Sequence, residues 1–536
     1  MLDTVIVGGG LCGLALANKL HGQGQTFALY EARNRLGGRI LSVKSSTTGM
    51  AMDLGPTWFW PDTQPRMNKL VAELGLENFS QHDNGSVLHL NDPEKKPESI
   101  SLPDVHGGAR RLAGGMATLT DTLAARVPSD AIHLEQQLAA VRDKGNHVEL
   151  LFHCRDVTTI VRARRAVLAI PPRLLEERVH FEPALDGVAR EAMRTTPTWM
   201  AGQAKVVVAY ELPFWRAAGE SGNAFVSHEQ AVLAEIFDAC DASGHHAALG
   251  GFLALSPQFR ASIHPTSLPM LISSQLVQVF GLEGERGEQH LHDWAAEPFT
   301  CATLDLTPPD THPEYGNPNL RQPLWSGKLI LGGSETAGNG CGYMEGALET
   351  AARIQRTLAA DVDVDVAVAV AVAVARQDGP RPANNNDDCL TRFCEWVATL
   401  REGAFERYHG HFHRHLAAQT KEQLTQRALL DTVEQIYSEA LDQLGGLPFD
   451  TASVGVQRGR CDLTPAVLES FDGFNMTLLD EVVQFNRGSC AISNFPNEHD
   501  PSQEYVATIS RDLVAAWREF AINVNQVLLG KGILKV

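Results

Sequence analysis

The run Thr4-Val5-Ile6-Val7 passes directly into Gly8-Gly9-Gly10-Leu11-Cys12-Gly13 and then into the apolar stretch Leu14 to Leu20. A short apolar strand, a Gly-x-Gly-x-x-Gly turn and an amphipathic helix in immediate succession confine this part of the chain to a Rossmann-type α/β unit. Each glycine has a separate reason. At Gly8 and Gly10 the absence of a side chain lets the backbone approach a pyrophosphate, and at Gly13 it lets the helix pack against the strand. The helix N-terminus, with the amides of Leu11 and Cys12, then turns its partial positive charge toward the phosphates. The second strand, Thr26-Phe27-Ala28-Leu29-Tyr30, ends in Glu31, eighteen residues past Gly13, where a carboxylate can accept hydrogen bonds from a ribose diol. The unit is therefore predicted to bind a dinucleotide, and up to this point NAD and FAD are equally served.

The next residues separate the two. Glu31-Ala32-Arg33-Asn34-Arg35-Leu36-Gly37-Gly38-Arg39 resembles the segment that follows the second strand in flavin-dependent amine oxidases. Physically, a Gly37-Gly38 turn beside Arg33 and Arg39 offers amides and guanidinium forks to a second phosphate contact. Asp53-Leu54-Gly55-Pro56-Thr57-Trp58-Phe59-Trp60-Pro61, followed by Gln64 and Leu70 to Leu76, is similar to the family stretch beneath the flavin ring. Pro56 and Trp60 replace glycines common there, which narrows the approach to the ring. Arg111 to Met116 and Ala166 to Pro172 match the family's return and crossover segments. Lys328 to Thr336 followed by Gly342-Tyr343-Met344-Glu345-Gly346-Ala347 resembles the segment at the ring itself.

The resemblance implies non-covalent FAD, held by Gly8, Gly10, Leu11, Cys12, Gly13, Glu31, Ala32, Arg33, Gly37, Gly38 and Arg39 at one end. Leu54, Gly55, Pro56, Thr57, Leu138, Trp294, Gly333, Ser334, Glu335, Gly342, Tyr343 and Met344 complete the cofactor set. Ser334 and Glu335 are carried over as phosphate or ribityl contacts and Met344 as a backbone contact to the ring. Lys205 and Tyr343 are the implied catalytic residues: Lys205, on the apolar strand Ala204 to Tyr210, holds a water near the flavin, and Tyr343 is one wall of a substrate cage. Burial of a lysine among apolar neighbours depresses its pKa, which suits that role. Trp58, Trp60, Leu304 and Tyr343 are the implied substrate contacts. The implied reaction removes a hydride from an amine or amino acid to give an imine, with O2 as oxidant and hydrogen peroxide as product.

Two departures bear on substrate. Ten residues past Trp294, where monoamine oxidases carry the second aromatic of the cage, stands Leu304; Thr303 takes the place of their flavin-bonding cysteine, and Cys301 is a poor substitute. The stretch Asn78 to Gly108 reads as polar and loop-like, too short for the helical lobe that covers the substrate in larger members. A cover is expected from the C-terminal helical region or from a second subunit in a homo-oligomer. A desaturase-like enzyme acting on a C–C bond, or a flavoprotein whose helical domain docks a partner, are the competing expectations.

Composition narrows the partners. With 64 acidic against 45 basic side chains the net charge is -19, which argues against nucleic acid and anionic membranes. Nine cysteines without a CxxC pair suit neither a disulfide framework nor a thiolate zinc site, and a soluble cytoplasmic protein without signal peptide is expected. The longest apolar run, Val366 to Ala375, falls far short of the ~20 residues a spanning helix needs.

The expected fold class is α/β: a Rossmann-type FAD-binding domain in three pieces (1–80, 107–172 with the crossover, and 320–358) and a mixed-sheet substrate domain over 173–319. A low-complexity linker follows at 359–387, then a separate C-terminal all-α domain over 388–536. Four helices are expected there, at Leu390 to Ala418, Lys421 to Leu444, Thr464 to Phe485 and Gln503 to Leu529. The His409, His411, His413 and His415 cluster is read as a solvated helix face rather than a metal site, and no metal is expected. Cys389, Cys394, Cys461 and Cys490 are read as small core residues.

Overall fold

The computed structural model describes residues 1–102, 104–307, 316–358, 386–417, 423–451, 454–457, 460–488, 496–499 and 501–531. They form two compact units, Met1–Ile354 and Gln355–Val536. The valine-rich tract 361–375, the Gly/Pro/Asn tract after it and Cys490 lie outside the described residues.

The first unit is built on two sheets. In the eight-stranded sheet, Leu2–Val7 pairs in parallel with Phe27–Tyr30 on one side and with Val157–Leu168 on the other, and Leu329–Leu331 adds a further parallel pairing to Val157–Leu168. Parallel strands are covered on both faces, so they need to be apolar throughout. Phe27–Tyr30 and Leu329–Leu331 are buried at every position. The twelve-residue strand Val157–Leu168 changes character along its length: Val157 to Ile160 are exposed and pair antiparallel with Val148–Cys154, whereas Ala166 to Leu168 are buried beside Leu2–Val7.

The glycine turn lies over the ends of these strands. Gly8 has φ +108° and a Cβ there would stand 2.3 Å from the Ala169 carbonyl oxygen; one at Gly13 would stand 2.0 Å from the Gly8 carbonyl oxygen. Neither position has room for any side chain, which fixes the helix Leu11–Gly22 directly against the turn.

The second sheet has seven strands in the order Glu288–Asp293, Ala204–Tyr210, Ala247–Leu253, Leu233–Asp238, Glu220–Val226, Ser86–Leu90, Glu98–Ile100. All neighbours are antiparallel except Glu220–Val226 with Ser86–Leu90. The loop expectation for Asn78 to Gly108 is thereby corrected. Asn78–Ser80 pairs with Arg110–Leu112, and Ser86–Leu90 and Glu98–Ile100 finish the second sheet. Val87, Leu88 and Leu90 are buried, but five residues between polar flanks carry too little pattern to announce a strand. The pairing partner lies far away in sequence, and it decides.

The second unit is helical, with a core of aromatic and aliphatic side chains in which Tyr437 stacks on Phe520 at 4.2 Å, beside Phe471 and Trp517. Its longest helices are Leu424–Gly446 and Gln503–Lys531. Two of the expected helices are each divided: Leu390 to Ala418 falls into Asn386–Glu402 and Ala404–Ala417 on either side of Gly403, and Thr464 to Phe485 into Thr464–Glu469 and Phe474–Gly488. The histidine face is not simply solvated either. His411 is buried, and it and His415 approach the Asp431 carboxylate at 3.4 and 2.8 Å, while His409 and His413 contact each other at 3.0 Å. Cys389 and Cys461 are buried. Among the described residues no helix is long and apolar enough to cross a membrane.

Candidate active site

A cavity of about 570 Å³ runs through the first unit from the glycine turn to the second sheet. At its first end stand Gly8, Gly10, Leu11 and Cys12, with Glu31, Ala32 and Arg33 beside them. The helix Leu11–Gly22 has Gly10 as its N-cap with no side-chain cap, so its first amides are available to an anion. Glu31 is buried, and one of its carboxylate oxygens accepts from the Gly9 amide at 2.7 Å while the other accepts from the Arg33 amide at 2.9 Å. Each oxygen retains acceptor capacity for a ribose hydroxyl. At Gly10 a Cβ would meet nothing closer than the Gly38 Cα at 3.9 Å, so the two backbones leave a cradle that a ligand can enter. Gly37, Gly38 and Arg39 continue this wall, Leu138 closes its far side, and Gly333 with Ser334 meets it from the third sequence piece. A dinucleotide fits these groups by chemistry: amides and a helix N-terminus for pyrophosphate, a carboxylate for ribose.

The second end is aromatic around one amine. Lys205, from the wholly buried strand Ala204–Tyr210, donates to the Gly55 carbonyl at 2.7 Å and to the Thr57 hydroxyl. The rings of Trp58, Phe237 and Phe252 lie 5.3–5.9 Å from its Nζ. Burial pushes the lysine pKa down to about 7, against the pull of the Asp53 carboxylate and with the help of Arg111. Its head is therefore inside the molecule, and at neutral pH it can exchange a proton. Trp294 donates its indole N–H to the Leu54 carbonyl at 3.0 Å, tying the Leu54-Gly55-Pro56-Thr57 stretch to the strand end at Asp293. Trp58 and Trp60 are pinned by indole donation to Gln81 and to the His106 carbonyl, both at 2.8 Å. Gly342, Tyr343 and Met344, at the start of the helix 344–358, form the facing wall.

Three expected site residues are not on the cavity wall. Gly13 packs against Gly8 and shapes the turn from behind. Glu335 is buried away from the cavity and pairs with Arg39 at 2.6 Å while accepting from the Ser334 hydroxyl at 3.0 Å. A carboxylate beside phosphate would be repelled, and this one instead fixes the arginine that borders it. Leu304 is corrected as a substrate contact: it lies half exposed in the short turn Thr303–Leu306, where Arg173 holds its carbonyl at 3.2 Å. The Thr303 amide is drawn the same way by Glu177, at 2.7 Å. Buried Cys301 is likewise off the cavity, and its thiol is pushed up to about 11 by burial.

Sequence reasoning missed Trp199, Gln203, Glu235 and Phe252, all on the cavity wall. Glu235 stands between Ala234 and Ile236 in an alternating strand, where an acid reads as the solvent face. Trp199 follows Thr196-Pro197-Thr198, which reads as a turn. Only the closure of the second sheet over the cofactor stretch brings them together.

The model of the family described as flavin containing amine oxidoreductase matches residues 11–101 and 95–354. Pig flavin-containing amine oxidase B is 24% identical over 461 residues, covering 66% of this chain and 86% of its own, and the human enzyme is 25% identical over 457 residues with the same coverage. Among solved structures, cyclohexylamine oxidase from Brevibacterium oxydans superposes with a TM-score of 0.56 at 20% identity, over 68% of this chain and 99% of its own. Wild-type putrescine oxidase bound to putrescine gives 0.54 at 20% identity, over 67% and 99%. The cavity's cradle and the family match meet on one cofactor, FAD, and the chain belongs to the flavin-containing amine oxidoreductase family.

Proposed function

We propose that the protein oxidises a small primary amine to an imine, which water hydrolyses, with O2 taking the electrons and leaving as hydrogen peroxide. FAD, when bound, supplies the hydride acceptor and the path to oxygen. The observation that carries the reading is Lys205: a buried amine, hydrogen-bonded to Gly55 and Thr57, on the wall of the cavity that begins at the nucleotide turn. With its pKa near 7 it holds and releases a proton at neutral pH, as a group that positions water or meets reduced oxygen must. Tyr343 and Trp58 bound the space in which the substrate carbon is presented. Trp294 and Thr57 hold the intervening backbone in place from opposite sides of it.

An amine is favoured over an amino acid by the state of the cavity's arginines. Arg33 pairs with Glu297 at 2.8 Å, Arg39 with Glu335 at 2.6 Å and Arg178 with Glu177 at 3.1 Å. A substrate carboxylate would meet no guanidinium on the described wall without a carboxylate partner already. Non-covalent attachment of FAD is supported by the thiols: the cysteine on the described wall is Cys12, at the pyrophosphate end, and burial pushes its pKa up to about 11. Trichloroacetic acid precipitation should release all flavin into the supernatant. A peroxide-coupled assay of the FAD-loaded protein across alkylamines, arylalkylamines and L-amino acids tests the reaction class. Turnover restricted to L-amino acids would overturn the amine assignment.

A further inference from the structure

The strand Glu288–Asp293 runs beside Lys205, with His292 in register with it, and the chain after Asp293 crosses from there to the nucleotide end of the cavity. The crossing is anchored on both sides. At its start the buried Arg260 holds the Asp293 carboxylate at 2.7 and 2.8 Å, while the Trp294 amide donates to the Gln203 carbonyl at 2.9 Å and its indole to the Leu54 carbonyl at 3.0 Å. At its finish Thr300, Cys301 and Ala302 are buried. Between these anchors Ala295 to Phe299 belong to no strand and no α-helix, and Ala296 and Pro298 are exposed. Pro298, Phe299 and Thr300 nevertheless line the cavity. This span is therefore a single layer of chain with solvent on one side and the cavity on the other.

One side chain reaches across from the nucleotide end to hold it. Arg33 donates from Nε and Nη2 to the same Glu297 carboxylate oxygen at 3.0 and 2.8 Å, and from Nη2 to the Thr300 hydroxyl at 2.7 Å, with the Phe299 ring 5.6 Å from the guanidinium carbon. Its Nη1 lies 3.7 Å from the Glu31 carboxylate, so the group that closes the span is also tied to the acid at the nucleotide turn. Arg178 adds a second hold, donating to the Pro298 carbonyl and, at 3.4 Å, to the Cys301 carbonyl. The other walls of this end cannot part so simply. Gly8 continues the strand Leu2–Val7, and Leu138 pairs with Phe152 inside the eight-stranded sheet, so moving either breaks strand pairing. Moving Ala295 to Phe299 breaks only side-chain contacts, led by a charge-assisted pair whose partners are 10% and 25% exposed.

We propose that Ala295 to Phe299 is the gate through which FAD enters and leaves the cavity, and that the Arg33–Glu297 pair is its latch. Glu297 is off the cavity wall and acts through Arg33, which makes it a positioning residue. The inference concerns cofactor exchange, so it stands or falls separately from the amine reading.

A latch differs from a ligand contact in its kinetics: losing a contact to bound FAD speeds release alone, whereas losing a latch speeds entry and release together. Flavin fluorescence reads both, on mixing FAD with the FAD-free full chain and on diluting the loaded protein. Glu297→Gln should raise both rates by about 10-fold and leave Kd within about 3-fold of wild type. Glu297→Asp, which keeps the charge, should return both rates toward wild type. Added salt should speed exchange more in wild type than in Glu297→Gln, because only the wild type has the pair to screen. Release accelerated alone, with Kd weakened to match, overturns the gate, and so do unchanged rates. Should Glu297→Gln fail to fold, Thr300→Val, which removes the other hold on Arg33, and the salt dependence of the wild type decide by the same criterion.

Discussion

The two ends of the cavity are made of different material. At the first end the wall is largely main chain, namely the turn from Gly8, the amides that open the helix Leu11–Gly22 and the backbone of Gly37-Gly38, with the buried Glu31 carboxylate beside them. At the aromatic end the wall is made of side chains contributed by separate elements: Lys205, Glu235 and Phe252 from the second sheet, Trp58 from the stretch after Asp53 and Tyr343 from a helix start. Backbone recognition is tied to local conformation, and local conformation demands glycine at fixed spacing. Side-chain recognition is tied only to where strands end up.

Damage should follow that division. The largest effect is expected from Gly13→Val, because a Cβ there stands 2.0 Å from the Gly8 carbonyl oxygen and neither backbone can yield. FAD affinity, read from flavin fluorescence on dilution, should fall about 100-fold or more. If Gly13→Val keeps its yellow colour at high dilution, the main-chain account of this end is wrong. Glu31→Gln should weaken FAD by about 10- to 100-fold while leaving kcat at saturating FAD near wild type, because the lost contact is to the ribose rather than to the reacting end.

The aromatic end should break in the opposite way. Lys205→Met should keep its FAD yet slow the reaction of the reduced enzyme with oxygen by about 100-fold, measured by stopped-flow mixing with air-saturated buffer. The same residue predicts a stability signature. Its folded-state pKa is depressed to about 7 from the usual 10.5, so the unfolded chain binds the extra proton between those values and the burden of burying Lys205 is greatest below about 7. The Tm of Lys205→Met relative to wild type should therefore be most favourable near pH 7 and decline as the pH rises toward 10. A difference that grows with pH would contradict the depressed pKa. The smallest effect belongs to Tyr343→Phe, which keeps the wall and removes one hydroxyl from a side chain 40% exposed; kcat/KM should change by less than about 10-fold.

The same contrast explains which features are legible in the sequence. The strand, turn, helix and Glu31 were legible because each is a local demand written in consecutive residues. Lys205 was legible because a lysine within Ala204 to Tyr210 violates the apolar run around it. Glu235 was not, since an acid in an alternating strand is what a solvent-facing position looks like, and only the closure of the sheet over the cofactor stretch puts it on the cavity wall. Leu304 differs for a related reason: the family resemblance implied a substrate contact ten residues past Trp294, but Glu177 and Arg173 hold the turn Thr303–Leu306 elsewhere. The strand Ser86–Leu90 escaped notice because its partner, Glu220–Val226, lies more than a hundred residues away.

The central claim, that an amine gives up its hydride at the Lys205 end of this cavity, is tested most directly by anaerobic absorbance titration of the FAD-loaded protein with alkylamines and diamines. The account predicts stoichiometric bleaching of the flavin band, reversed on admitting air with one peroxide released per flavin. Bound FAD that stays oxidised in the presence of every amine would contradict it.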